Sequence, residues 1–115
     1  VAEYFTREEM ACQHCGQEKW DYEFMEWLDS VREEFGKPMR VTSGYRCPQH
    51  PIEARKSKPG AHATGRAVDI AVSGADAIKL IEIASRHGCT RIGVNQNVFV
   101  HLDRDFSKAD ALWTY

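Results

Sequence analysis

Three residues of this 115-residue chain have types that can do chemistry together: His62 and Asp69 in GAHATGRAVDI, and His101 in VFVHLD. Asp69 is the anomaly. It interrupts the apolar run AVDIAV, where an unpaired carboxylate is costly unless a cation or several donors meet it. His62 stands seven residues earlier, across a short turn through Gly65, so the two side chains can converge. His101 belongs to a second apolar run that can pair beside the first. Two imidazoles and one carboxylate form a ligand set that zinc accepts, with a fourth position left for water. An open position is what hydrolysis requires, because a bound metal acidifies water and polarises a carbonyl. Taken singly, each residue has a plainer reading. A strand histidine is more often structural than a ligand, and Asp69 can pair with Arg66 or Arg91.

The elements that must position these residues follow from periodicity. From Asp21 the pattern is helical: Phe24, Trp27, Leu28, Val31 and Phe35 share one face, with Glu26, Asp29, Arg32 and Glu33 outside. Those aromatics read as core, and Gly36 and Pro38 end the helix. Residues 39–45 (MRVTSGY) alternate as a short strand. The connection over 46–64 is rich in Pro, Lys, Gly and His, and loops that long in a compact domain are often functional. Residues 67–72 predict a second strand, with Val68, Ile70 and Val72 on one face and Asp69 on the other. Ser73 and Asp76 resemble a capping box with Asp in place of Glu. The helix they open runs to about His87, buried through Ile78, Ile81 and Ala84 and stopped by Gly88. Residues 91–94 and 98–103 predict two strands around an Asn95-Gln96-Asn97 turn. Residues 1–20 read as irregular, ending in a Cys-containing turn. Trp113 and Tyr115 pack back on the domain or border its cleft. The order of elements predicts one α+β domain over residues 1–115, a small, mainly antiparallel sheet packed with helices.

Composition narrows the partners. Fifteen Lys and Arg against seventeen Asp and Glu leave a net charge of −2, which argues against nucleic acid or an anionic membrane surface. No apolar run approaches the roughly 20 residues of a membrane span. The opening VAEYFTREEM lacks a signal-peptide pattern; a signal removed before Val1, or a longer parent chain, leaves export open. No long unpaired apolar surface demands a second copy, so a monomer is expected. Cys12, Cys15, Cys47 and Cys89 allow two disulfides in three connectivities, or buried thiols. The alternative is a second zinc site on Cys12 and Cys15 with His14 or Cys47. A redox pair at Cys12-Gln-His-Cys15 is disfavoured, because the amphipathic helix begins only near Asp21. Arg55, Lys56 and Lys58 read as a solvated stretch of loop that can also attract an anionic polymer. His14 and His87 receive no catalytic role.

The segments VTSGYRCPQH, GAHATGRAVDI and FVHLD resemble the zinc D-Ala-D-Ala carboxypeptidase family of bacterial and phage cell-wall peptidases, which shares its fold with the hedgehog signalling domain. The family pattern is S-G-x-R, then S-x-H-x-x-G-x-A-x-D, then a histidine on a final strand. Ser43, Gly44, Tyr45 and Arg46 match the first part, and His62, Gly65, Ala67 and Asp69 the second. His101 matches the last, and the order holds over roughly residues 20–113. The resemblance implies one zinc ion on His62, Asp69 and His101. It implies that Arg46 lies in the cleft and holds a substrate carboxylate or a developing oxyanion, for which its planar fork and fixed charge are suited. Gly65 would supply a backbone conformation that a side chain forbids. Asp103, on the same strand face as His101, is a candidate to orient a ligand or accept a proton.

Two departures stand out. Gly60 occupies the position of the family's serine. Val98 and Phe99 occupy the positions where members carry a general base, as E-x-x-H or H-x-H. A base must take the proton of water and later return one to the leaving amine; Asp103 and His50 are the residues that could replace it. The resulting expectation is a zinc metallopeptidase cleaving an amide bond in peptidoglycan stem peptides or cross-bridges. D,D-carboxypeptidase, D,D-endopeptidase and L-Ala–D-Glu endopeptidase activities all remain open. Such an enzyme would act on the bacterial wall, in the periplasm, outside the cell or as a released phage lysis protein. The rival is a zinc-stabilised module that binds wall peptide or a protein partner without cleaving it.

Overall fold

Helix α2, Tyr22–Phe35, forms where the chain offers a cap at each end and an apolar face between them. The Asp21 carboxylate accepts the Phe24 N–H at 2.9 Å. Gly36, left-handed at φ 76°, returns its N–H to the Arg32 carbonyl. The buried face carries Phe24, Met25, Trp27, Leu28, Val31 and Phe35, at about 1.5–3 kcal/mol for each large apolar side chain removed from water. The computed structural model describes residues 4–17, 19–47, 49–50, 52 and 60–115. The basic stretch Arg55, Lys56 and Lys58 lies outside them.

A short helix, α1 (Arg7–Met10), stands in the segment expected to be irregular. Its signal is T-x-x-E: the Glu9 N–H donates to the Thr6 hydroxyl at 3.1 Å, and the Thr6 N–H donates to the Glu9 carboxylate at 2.9 Å. Phe5 before the cap and Met10 after it both enter the core, which secures so short a helix.

Five strands follow the order β1-β2-β4-β3-β5. They are β1 (Val41–Ser43), β2 (Ala67–Ile70), β3 (Arg91–Asn95), β4 (Phe99–Asp103) and β5 (Ala111–Thr114). The first three pairings are antiparallel, and β5 joins β3 in parallel. The sheet is therefore mixed and mainly antiparallel, and packed with helices it makes an α+β domain. Alternation divides its faces. Val68, Ile70, Val100 and Leu102 lie in the core with the buried face of α2. Asp69, His101 and Asp103 occupy the intervening positions, on the opposite face.

Helix α3, Gly74–Arg86, corrects two expectations. Its buried residues are Leu80, Ile83 and Ala84, with Ile81 partly buried, while Ile78 is 70% exposed. Isoleucines stand on both sides of this helix, and contact with α2 selects the face through Leu80. Ser73 caps through its backbone position without a side-chain bond. Asp76, one methylene shorter than the glutamate of a capping box, instead pairs with Lys37 at 2.9 Å. The two helices are tied at one end by the Trp27 indole N–H, which donates to the His87 carbonyl at 2.6 Å. Glu34 adds pairs with Arg86 and His87. No helix among the described residues is long and apolar enough to cross a membrane.

Candidate metal centre

His62 sits in a single 3-10 turn, Ala61–Thr64, which the Thr64 hydroxyl tightens by donating to the Ala61 carbonyl at 2.6 Å. Gly65 ends the turn at φ 75°, and a Cβ there would lie 2.4 Å from the Lys19 carbonyl oxygen. A side chain is excluded on both counts. The turn is joined to the S-G-Y-R segment: the Arg46 N–H donates to the His62 carbonyl at 3.1 Å, and His62 Nδ1 meets the Gly44 carbonyl at 2.7 Å. The two sequence motifs are thus one hydrogen-bonded unit.

Asp69 and His101 face each other in register across β2 and β4. His101 Nδ1 is 2.9 Å from Asp69 Oδ1. His62 Nε2 is 3.2 Å from that nitrogen and 3.3 Å from the same carboxylate oxygen. Proton accounting makes this triangle informative. A carbonyl only accepts, so His62 Nδ1 carries hydrogen and, in the neutral ring, Nε2 is bare. The Asp103 carboxylate lies 2.6 Å from His101 Nε2, so that nitrogen carries hydrogen and, in the neutral ring, Nδ1 is bare. With both rings neutral, two nitrogen lone pairs and a carboxylate oxygen therefore converge, an arrangement that suits a metal cation. Zinc with ligands at about 2.0–2.1 Å has tetrahedral edges of about 3.3 Å. The three separations fit that size.

The surroundings suit ligation. His62, Asp69 and His101 are each 4% exposed. Without a metal ion, hydrogen on these rings takes its place: burial works to raise the Asp69 pKa, but hydrogen bonds from His101 and His62 outweigh it and hold the carboxyl well below its usual range. Burial lowers the pKa of His62. It acts in the same sense on His101, where the bonds to Asp103 and Asp69 prevail and raise it. Asp103 is fully buried and fully engaged: Arg91 Nε lies 3.1 Å from Oδ1, which also accepts the Asp105 N–H at 3.1 Å. A carboxylate behind a ligand imidazole fixes its tautomer and ring orientation.

A cleft of about 490 Å³ opens over the triangle. Arg46 lines it, with Nε donating to the Ser43 hydroxyl at 3.1 Å and Nη2 3.4 Å from Asp69 Oδ2. The structure thus brings His62, Asp69, His101, Asp103 and Arg46 together. His50 is placed elsewhere: it is absent from the cleft lining, its Nδ1 accepts the Ile52 N–H at 3.1 Å, and its ring lies 6.1 Å from that of His14. Proximity in sequence to Arg46 does not carry it around the intervening turn. Sequence reading left open whether Trp113 and Tyr115 border the cleft and missed the strand that puts them there. The Trp113 ring is 5.2 Å from that of His101, and Tyr115 packs on Phe99 at 5.0 Å. The overlooked signal is Gly93, since a glycine within a strand often marks a close approach. A Cβ at Gly93 would lie 2.5 Å from the Trp113 indole.

All four cysteines are free, so the two-disulfide framework is not formed. Cys89 stands apart beside the Arg91 carbonyl, its thiol pushed up to about 11 by burial. Cys12, Cys15 and Cys47 instead gather, with their sulfurs within 4.8 Å of one another.

The fold and the cleft define an α+β domain that presents a buried two-histidine, one-carboxylate set from a sheet face and the 3-10 turn beside it, in the manner of a metallohydrolase. The sequence model of the Peptidase M15 family matches residues 3–103, and the chain belongs to that family, whose members are zinc-dependent peptidases. No curated protein matches the chain.

Proposed function

We propose that this protein hydrolyses an amide bond in peptidoglycan stem peptides or cross-bridges, as a D,D-carboxypeptidase or endopeptidase dependent on one zinc ion at His62, Asp69 and His101. Its place of action is the bacterial wall, reached by export or by release during phage lysis, and it works as a monomer. The observation that carries the reading is the triangle of two imidazole nitrogens and a carboxylate oxygen at 2.9, 3.2 and 3.3 Å on the floor of a cleft. When bound, zinc would polarise the scissile carbonyl and make water acidic enough to attack near neutral pH.

The remaining work falls to the chain. Arg46, held by Ser43 and the outer oxygen of Asp69, presents a fork that suits a terminal carboxylate or the charge developing on the carbonyl oxygen. Trp113 and Phe99 supply an apolar wall that shields the reacting bond from bulk water. Asp103 holds the hydrogen of His101 Nε2 and so keeps Nδ1 available. It is a positioning residue first, since taking a proton from water would require it to leave Arg91 or His101.

That engagement favours a second reading, a module that binds wall peptide without cutting it. Val98 is exposed and Phe99 packs on Tyr115, so neither replaces the family's base. Among the described residues lining the cleft, both carboxylates are already bonded. Mass spectrometry of purified muropeptides incubated with zinc-loaded protein, beside a chelated control, separates the readings. A chelator-sensitive product establishes the peptidase, and its mass identifies the bond. Intact muropeptides that nevertheless bind the zinc-loaded protein establish the binder.

A further inference from the structure

Cys12, Cys15 and Cys47 are not among the residues that line the cleft. Cys12 and Cys47 are 2% and 1% exposed, and Cys15 stands at the surface beside them. Their three sulfurs lie within 4.8 Å of one another without a disulfide. One disulfide would leave the third sulfur beside it without a role, whereas a single ion can use all three. Zinc–sulfur bonds of about 2.3 Å give tetrahedral sulfur–sulfur edges of about 3.8 Å, a size the cluster can adopt.

The backbone is arranged as such a site requires. After Cys12 the chain reverses, with the Gly16 N–H donating to the Cys12 carbonyl at 2.8 Å and Gly16 left-handed at φ 74°. The Cys47 N–H points at Cys12 Sγ from 3.2 Å, a donor that stabilises a thiolate. Beyond Cys47 the chain turns again, the His50 N–H donating to the Cys47 carbonyl at 3.0 Å. Cys12-Gln-His-Cys15 and Cys47-Pro-Gln-His50 therefore share one spacing, and each presents a ligand type at both ends of a tight turn.

We infer that Cys12, Cys15, Cys47 and His50 form a second, structural zinc site, distinct from the cleft and closed to substrate. Binding releases the three thiol protons to solvent and turns the His50 ring from the Ile52 amide toward the sulfurs. The site joins the N-terminal segment to the start of the loop that carries Arg46. Existing bonds already register these segments: the Tyr45 N–H donates to the Met10 carbonyl at 2.9 Å, and Gln13 Nε2 to the Thr42 carbonyl at 2.7 Å. The zinc clamps them and so holds Arg46 from behind.

The test is metal analysis of the whole protein together with cobalt substitution. Wild type should hold two zinc ions per chain, and His62→Ala should retain one. The cobalt form of both should show thiolate-to-cobalt charge-transfer absorption. Cys15→Ser, a change at the exposed sulfur, should retain the cleft ion and lose that absorption. One ion per chain that disappears in His62→Ala overturns the inference, as does a disulfide among Cys12, Cys15 and Cys47 found by non-reducing peptide mapping. His50→Ala should weaken the sulfur site by tenfold or more; a silent His50→Ala with a weakened His14→Ala overturns the assignment of the fourth ligand. Because His62→Ala leaves the sulfur site whole, failure of this inference is distinct from failure of the cleft.

Discussion

The two nitrogens of His101 have different tasks, and Asp103 sets which does which. With Nε2 held at 2.6 Å by that carboxylate, Nδ1 is the atom that faces Asp69 and His62. Asp103→Asn keeps the shape but replaces an obligatory acceptor with an amide that can present hydrogen. Zinc affinity at the cleft should fall about 10–100-fold, measured by competition with a chelator of known strength. Arg46 is tested through turnover: Arg46→Lys preserves charge and loses the fork. It should lower kcat by about a hundredfold with cleft zinc retained, and an unchanged kcat would remove Arg46 from the reaction. The candidate ligands were legible because a carboxylate inside an apolar strand needs a partner, and the motif spacing supplied two imidazoles. The role of Asp103 was half legible, since i and i+2 share a strand face, but its bonds to Arg91 and the Asp105 N–H depend on β3 and the following turn. His50 shows the limit of adjacency. It is close to Arg46 in sequence and belongs to the cysteine turn in space.

At the scale of elements, the 3-10 turn and β5 determine the shape of the site. Gly65 ends the turn where the Lys19 carbonyl leaves no room for a Cβ. Gly65→Ala should cost about 1–3 kcal/mol from backbone strain alone, with a further loss from the clash, read from urea unfolding of the zinc-free protein. It should also weaken zinc binding, since His62 is carried by that turn. Strands β2, β3 and β4 were legible from alternation and from the Asn-rich turn between the last two. Strand β5 was not: it is short, it pairs in parallel, and its partner stands twenty residues back in sequence (Arg91 with Ala111), so no hairpin signal announces it. Helix α3 was legible in extent but not in phase, because isoleucine occurs on its exposed side as well as its buried one.

For the whole molecule, a carboxylate buried against two imidazoles links stability to pH. The Asp69 pKa is depressed in the folded chain, so its contribution is present above the unfolded value of about 4 and is lost as pH falls through that range. The zinc-free protein should therefore lose thermal stability on acidification below about pH 4, and Asp69→Asn should flatten that part of the profile of Tm against pH. Zinc adds stability by mass action, about 2.7 kcal/mol at a free concentration one hundred times Kd. Chelation should lower Tm accordingly. The α+β plan was legible from the order of elements. The separation of the molecule into a helix-covered apolar sheet face and a polar cleft face was legible only along β2 and β4, where alternation is cleanest.

The central claim is that one ion is held jointly by His62, Asp69 and His101, and an anomalous difference map at the zinc edge tests it most directly. Crystals of the zinc-loaded protein should show a peak within bonding distance of His62 Nε2, Asp69 Oδ1 and His101 Nδ1, with Asp103 still on His101 Nε2. No peak at that triangle in zinc-saturated crystals, or an ion bound through His101 Nε2 with Asp103 displaced, would contradict the account.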